Sequence, residues 1–84
     1  MRITFKLFAS LTDFLPPEAR HSNIVELDVA PDAPISQIIE PFGLPPKMVH
    51  LVLVNGTYIE PDQRLTHTLR EGDVLAIWPP IAGG

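Results

Sequence analysis

Few residues of this 84-residue chain have types and spacings that could do chemistry, and the clearest stand in the run Pro79-Pro80-Ile81-Ala82-Gly83-Gly84. A sequence stopping at Gly83-Gly84 behind a stiff Pro-Pro would project its α-carboxylate as the reacting group. Two residues without Cβ let the backbone pass close to the walls of a narrow channel and adopt φ values closed to other residues. The plain alternative is a frayed terminus of the kind any protein has.

Other chemistries find little support. His21, His50 and His67 have no H-x-H or H-x-x-x-H ligand spacing, so no metal site is expected. Ser10, Ser22 and Ser36 lack a nucleophile-elbow or triad context, and no glycine-rich phosphate loop occurs among the five glycines. A carboxylate pair working as general acid and base needs a cleft, which a domain with one small core rarely has. Zero cysteines remove disulfides, iron–sulfur ligation, thiolate zinc and cysteine nucleophiles together. These absences argue against an enzyme.

Composition narrows the partners. Six Lys+Arg stand against ten Asp+Glu, a net charge of -4, and Arg2, Lys6, Arg20, Lys47, Arg64 and Arg70 are scattered singly. No basic track exists to follow a phosphate backbone, so nucleic acid is not expected as a partner. No apolar run approaches the ~18 residues of a membrane span, and the chain reads as cytoplasmic, with no membrane partner. With 45% hydrophobic and 19% charged residues it should fold alone, around one core.

The elements that would position the end of the chain follow from periodicity. Arg2 to Phe8 alternates, with Ile3, Phe5 and Leu7 on one side and Thr4, Lys6 and Phe8 on the other, as in a half-buried strand. Residues 9–23 read as an irregular or helical turn and a loop. Ile24 to Val29 alternates again, with Val25, Leu27 and Val29 inward, and forms a hairpin-like partner for the first strand. Between Asp32 and Gly43 the apolar residues Ile35, Ile38, Ile39 and Phe42 follow helical spacing, with Asp32 as N-cap, Pro34 in the first turn and Gly43 at C′. Pro41 limits that helix. Val49 to Val54 reads as a central strand buried on both faces, ending at the Asn55-Gly56 turn. Thr57 to Ile59 returns briefly, residues 61–69 wander, and Val74 to Trp78 is the last strand, stopped by Pro79-Pro80.

This order predicts an α+β, ubiquitin-like β-grasp: a mixed sheet wrapped around one main helix. A right-handed crossover places the first and last strands side by side in its centre. The expected organisation is one domain over residues 1–80 and a flexible Gly-Gly tail over residues 81–84. Parity along the last strand sends Leu75 and Ile77 to the core and Val74, Ala76 and Trp78 to the outer face. Phe8 shares that face and Tyr58 could join it, so the three aromatics form a candidate partner-binding patch beside the tail.

Four motifs carry a family resemblance over nearly the whole chain: Leu7-Phe8-Ala9; Val52-Leu53-Val54-Asn55-Gly56; Leu69 with Glu71-Gly72-Asp73-Val74; and Trp78-Pro79-Pro80-Ile81-Ala82-Gly83-Gly84. They resemble the MoaD/ThiS sulfur-carrier family, most closely the small subunit of molybdopterin synthase. The resemblance implies that a ubiquitin-activating-type adenylating enzyme uses ATP to adenylylate the carboxylate of Gly84. A sulfur donor enzyme then converts it to a thiocarboxylate, and the sulfur passes to a precursor held by the large subunit of molybdopterin synthase. The carrier binds no cofactor. Gly83 and Gly84 are the reacting end, and the resemblance places hydrophobic partner contacts at Phe8, Tyr58 and Trp78, with Pro80 and Ile81 leading into the tail. Carriers for thiamine, tRNA thiolation or cysteine synthesis, and a ubiquitin-like protein modifier, remain open alternatives. Only two lysines, Lys6 and Lys47, are available for self-chain building.

Overall fold

A computed structural model describes residues 1–80. Strand β1 (Arg2–Leu7) buries Ile3, Phe5 and Leu7 completely, as its alternation predicts. It ends one residue before Phe8, because Ala9 takes φ 54° and turns the chain into a 3-10 segment, Ala9–Phe14. A second 3-10 turn, Pro17–Ala19, follows before β2 (Ile24–Asp28). β2 pairs antiparallel with β1, from Arg2 opposite Asp28 to Lys6 opposite Ile24. Val29 lies just past the strand but extends the pairing, since its N–H donates to the Met1 carbonyl at 2.8 Å.

The main helix is shorter than the spacing predicts. α1 covers Ile35–Ile39 and passes into a 3-10 turn, Glu40–Phe42, that accommodates Pro41. Asp32 is not its N-cap: Pro34 holds that position with no side-chain hydrogen bond. Pro34 is fixed in extended backbone by a bridge to Thr68, and the Ile35 N–H donates to the His67 carbonyl at 3.1 Å, so helical geometry starts only beyond it. Gly43 ends the segment with φ 68°, the left-handed stop expected there.

The remaining strands are β3 (Leu51–Val54), β4 (Thr57–Tyr58) and β5 (Val74–Trp78), with a 3-10 turn Pro61–Leu65 between the last two. The sheet order is β2-β1-β5-β3-β4. β1 and β5 run parallel and adjacent, while β3 is antiparallel to both β5 and β4. The first and last strands thus lie side by side in the middle of the sheet, as the crossover predicts, with β5 central, and the reading of the 49–54 run as a central strand buried on both faces is corrected. Val52 and Val54 face the core, whereas Leu51 and Leu53 are only half-buried on the other side. One short helix covers one face of a five-stranded sheet, and among the described residues no helix or second sheet covers the opposite face. Ile35 and Ile38 bring α1 onto the core, where Phe42 packs against Phe5 with ring centroids 4.6 Å apart. The result is a β-grasp.

Candidate functional site

β5 delivers the chain to its last residues through Trp78. Register puts Trp78 opposite Leu51 and Ala76 between Lys6 and Leu53, all on the outer face of the sheet. Phe8 continues β1 on that face, held by its N–H donating to the Ile77 carbonyl at 3.2 Å. The two rings stack, with centroids 4.0 Å apart and planes inclined by 5°. Such a pair contributes about 0.5–1.5 kcal/mol beyond its area burial. Each ring covers part of the other, so both are half-buried rather than open. The Trp78 carbonyl accepts the His50 N–H at 3.1 Å, which pins the final residue of the strand from its other side. Pro79 is half-buried and Pro80 exposed. Ile81, Gly83 and Gly84 lie outside the described residues.

Tyr58 shares the outer face but stands apart from the stacked pair. It lies opposite Leu53, two strands from β5, and is 46% exposed. Its ring meets Arg64, whose guanidinium carbon is 5.8 Å from the ring centroid. The aromatic patch is thus a Phe8–Trp78 pair with Tyr58 at the sheet margin, joined by Leu51 and Leu53.

Arg64 gives no signal in the sequence, where it is one of several scattered cations. It is 9% exposed, and its Nε, Nη1 and Nη2 donate to the carbonyls of Ile59, Val49 and His50 at 3.0, 3.3 and 3.2 Å. A guanidinium can satisfy three carbonyls at once because its donors point in fixed, divergent directions. Arg64 therefore ties the exit of β4 to the entry of β3, next to the His50 amide that holds Trp78.

The motifs around Asn55 and Asp73 meet at the other end of β5. Asn55 and Gly56 take φ 51° and 83°, the left-handed pair of a tight hairpin turn. The Asn55 Nδ2 donates to Asp73 Oδ1, and its Oδ1 accepts the Val74 N–H, both at 2.9 Å. Asp73 Oδ2 accepts the Arg70 N–H at 2.8 Å, and Glu71 Oε1 accepts the Arg2 N–H at 2.9 Å. This cluster fastens three strand ends and lies about 17 Å, five strand residues, from Trp78. Its role is to set register.

The Arg70 N–H, and then the Asn55 amide, hold the Asp73 carboxyl below its ordinary range. A depressed carboxyl stabilises the fold above its unfolded pKa, near ~3.9, and loses that contribution as pH falls through the folded value. Asp73→Ala should cost about 1–2 kcal/mol at pH 7, and urea midpoints of variant and parent should draw together as pH is lowered below ~3.9 into the acid range. A gap that stays constant down through the acid range would show that the carboxylate charge is not what stabilises the turn.

Among the described residues no group of three or more His, Cys, Asp or Glu could hold a metal ion. No helix among them is long and apolar enough to cross a membrane. A family model described as Mut7-C ubiquitin matches residues 1–82. The chain belongs to the Mut7-C ubiquitin family. Its structure is similar to SAMP1 from Haloferax volcanii, at 27% identity and a TM-score of 0.66 over 100% of both chains. It is similar to the H. volcanii HVO 2177 protein, at 22% identity and a TM-score of 0.74 over 100% of this chain and 87% of that one. A third likeness is to a protein in the complex of subunits 1 and 2 of the molybdopterin-converting factor of Helicobacter pylori, at 18% identity and a TM-score of 0.61 over 100% of both chains. No curated protein matches at a significant level. The family match and these neighbours support the MoaD/ThiS-like ubiquitin-fold assignment that the four motifs indicate.

Proposed function

We propose that this family member is a sulfur carrier for molybdopterin biosynthesis, with the carboxylate of Gly84 as the group that carries sulfur. The observation that carries the reading is where β5 ends. The central strand stops at Trp78, Pro79-Pro80 follows, and Pro80 is exposed. Four further residues have a reach of at most about 14 Å, enough to enter a partner's channel while the sheet face rests on that partner.

The chemistry needs no acid or base from the carrier. In an adenylating partner the Gly84 carboxylate attacks the α-phosphate of ATP and expels pyrophosphate, giving an acyl adenylate. A sulfide equivalent from a donor enzyme adds to that carbonyl and expels AMP, leaving a thiocarboxylate. Its sulfur is the nucleophile for the same reason that thiolates outdo thiols. The docking face is the Phe8–Trp78 pair with Leu51, Leu53 and Tyr58. Sulfur passes to a precursor held by the large subunit of molybdopterin synthase, a partner inferred by analogy with the complex that the molybdopterin-converting factor forms in H. pylori.

A protein-modifier reading draws on the likeness to SAMP1, a small archaeal modifier protein. Both readings share the adenylate and part at the next step. After incubation with an adenylating enzyme, ATP and a sulfur donor, intact-mass analysis should show oxygen replaced by sulfur on the C-terminal peptide. An alkylating reagent should trap that sulfur alone, because the chain has no cysteine to compete. Isopeptide conjugates to lysines of other proteins, with no thiocarboxylate, would establish the modifier.

A further inference from the structure

Beyond the outer face and the tail, β2 forms an edge of the sheet that pairs with no further strand among the described residues. Met1 and Val29 exchange both backbone hydrogen bonds, and Leu7 N–H donates to the Asn23 carbonyl. Alternation along an antiparallel ladder then turns the N–H and C=O groups of Val25 and Leu27 toward β1 and those of Glu26 and Asp28 outward. Behind this edge, between β2 and α1, lies a groove of about 280 Å³ lined mainly by apolar residues, among them Leu27, Val29, Ala33, Ile38, Pro41 and Phe42.

The charges along the edge select what can fill it. Glu26 accepts a hydroxyl hydrogen bond from Thr4 at 2.8 Å and makes no direct ion pair among the described residues, while Asp28 is paired with Arg2 at 3.1 Å, both of those side chains well exposed. Asp32 stands in the turn between Ala30 and Ala33, which both line the groove. A second copy of this chain fits poorly: in the antiparallel register that pairs all five residues of β2, Glu26 would face Glu26 and the acidic edges would repel.

We propose that the β2 edge and its groove bind an extended peptide in which basic and apolar residues alternate. The peptide adds a sixth strand, exchanging hydrogen bonds with Glu26 and Asp28. Its apolar side chains enter the groove behind Leu27, and its basic side chains lie beside Glu26 and Asp28 on the outer side. The site is independent of the sulfur chemistry proposed for Gly84.

An acetylated octapeptide of alternating lysine and valine is the probe, titrated into the whole chain and followed by amide chemical shifts and calorimetry. The largest shifts should fall on Val25 to Val29 and on Gln37 to Phe42, with binding at least tenfold weaker in 0.5 M salt. Three controls should each weaken binding at least tenfold: a peptide with proline at a central position, a glutamate–valine peptide, and Glu26→Lys. Glu26 is exposed, so that substitution leaves the core intact, and the amide spectrum of the free variant verifies it. Equal binding of the proline peptide, shifts confined to Phe8 and Trp78, or concentration-dependent β2 shifts without peptide would each overturn the proposal, the last in favour of self-association.

Discussion

Removing Gly84, or extending the chain beyond it with a tag, should abolish ATP–pyrophosphate exchange with the cognate adenylating enzyme while circular dichroism and melting stay native. The core explains why the fold is indifferent. Among the described residues the large, fully buried side chains are Phe5, Ile3, Leu7, Leu11, Leu15, Ile35, Leu75, Ile77 and Val52, a core built from residues before Trp78. The proposed reaction, by contrast, requires a free carboxylate at position 84 and is helped by a residue without Cβ there. A tag moves that carboxylate, and deletion leaves Gly83 one residue short of the adenylate position. Gly84→Ala keeps the carboxylate but adds a Cβ, so its loss should be partial and should reveal how closely the partner's channel fits. Undiminished exchange in both the truncated and the extended chains would exclude Gly84 as the reacting residue.

The second large effect is expected at Trp78. Trp78→Ala should weaken binding to the adenylating enzyme or the larger subunit by roughly thirtyfold, about 2 kcal/mol, the loss typical of an aromatic hot spot. Phe8→Ala and Tyr58→Ala should lose less. The stacked geometry adds a stability cost that exposed aromatics would not carry. Trp78→Ala leaves Phe8 without its stacking partner at 4.0 Å and should lower stability by about 1–2 kcal/mol, or several degrees of melting temperature. A double-mutant cycle over Phe8 and Trp78 should return a coupling of about 0.5–1.5 kcal/mol in unfolding. Trp78→Phe separates the two roles, since it preserves stacking while reducing contact area. If Trp78→Ala lowers stability but leaves partner affinity unchanged by calorimetry, the pair is a structural clasp and the docking face lies elsewhere.

The candidate site was legible where a single period governs it. Alternation in Arg2 to Phe8 and in Val74 to Trp78 places Phe8 and Trp78 on one face, and the structure finds them there. It could not show that they touch. Stacking depends on β1 and β5 being parallel neighbours in the register that sets Leu7 opposite Ile77, a pairing across about seventy residues of chain. Tyr58 has the same parity through Leu53, yet lies two strands away beside Arg64. Arg64 itself carries no local signal, because its partners Val49, His50 and Ile59 are backbone carbonyls that any residue would supply.

By itself, the sequence determined which face of β1 and β5 is buried, the left-handed stop at Gly43, the turn at Asn55-Gly56 and the β-grasp order of elements. These follow from side-chain period and from φ preferences, which act within a few residues. Only the tertiary structure decided that α1 starts after Pro34, that β3 lies between β4 and β5 with one face to the core, and that Asn55 and Asp73 share a hydrogen bond at 2.9 Å. Each depends on chain outside the segment itself: Thr68 for Pro34, β4 and β5 on either side of β3, and a turn eighteen residues away for Asn55. Local pattern reports that a surface is covered, while the identity of what covers it is set by strand order and register, which are properties of the whole chain.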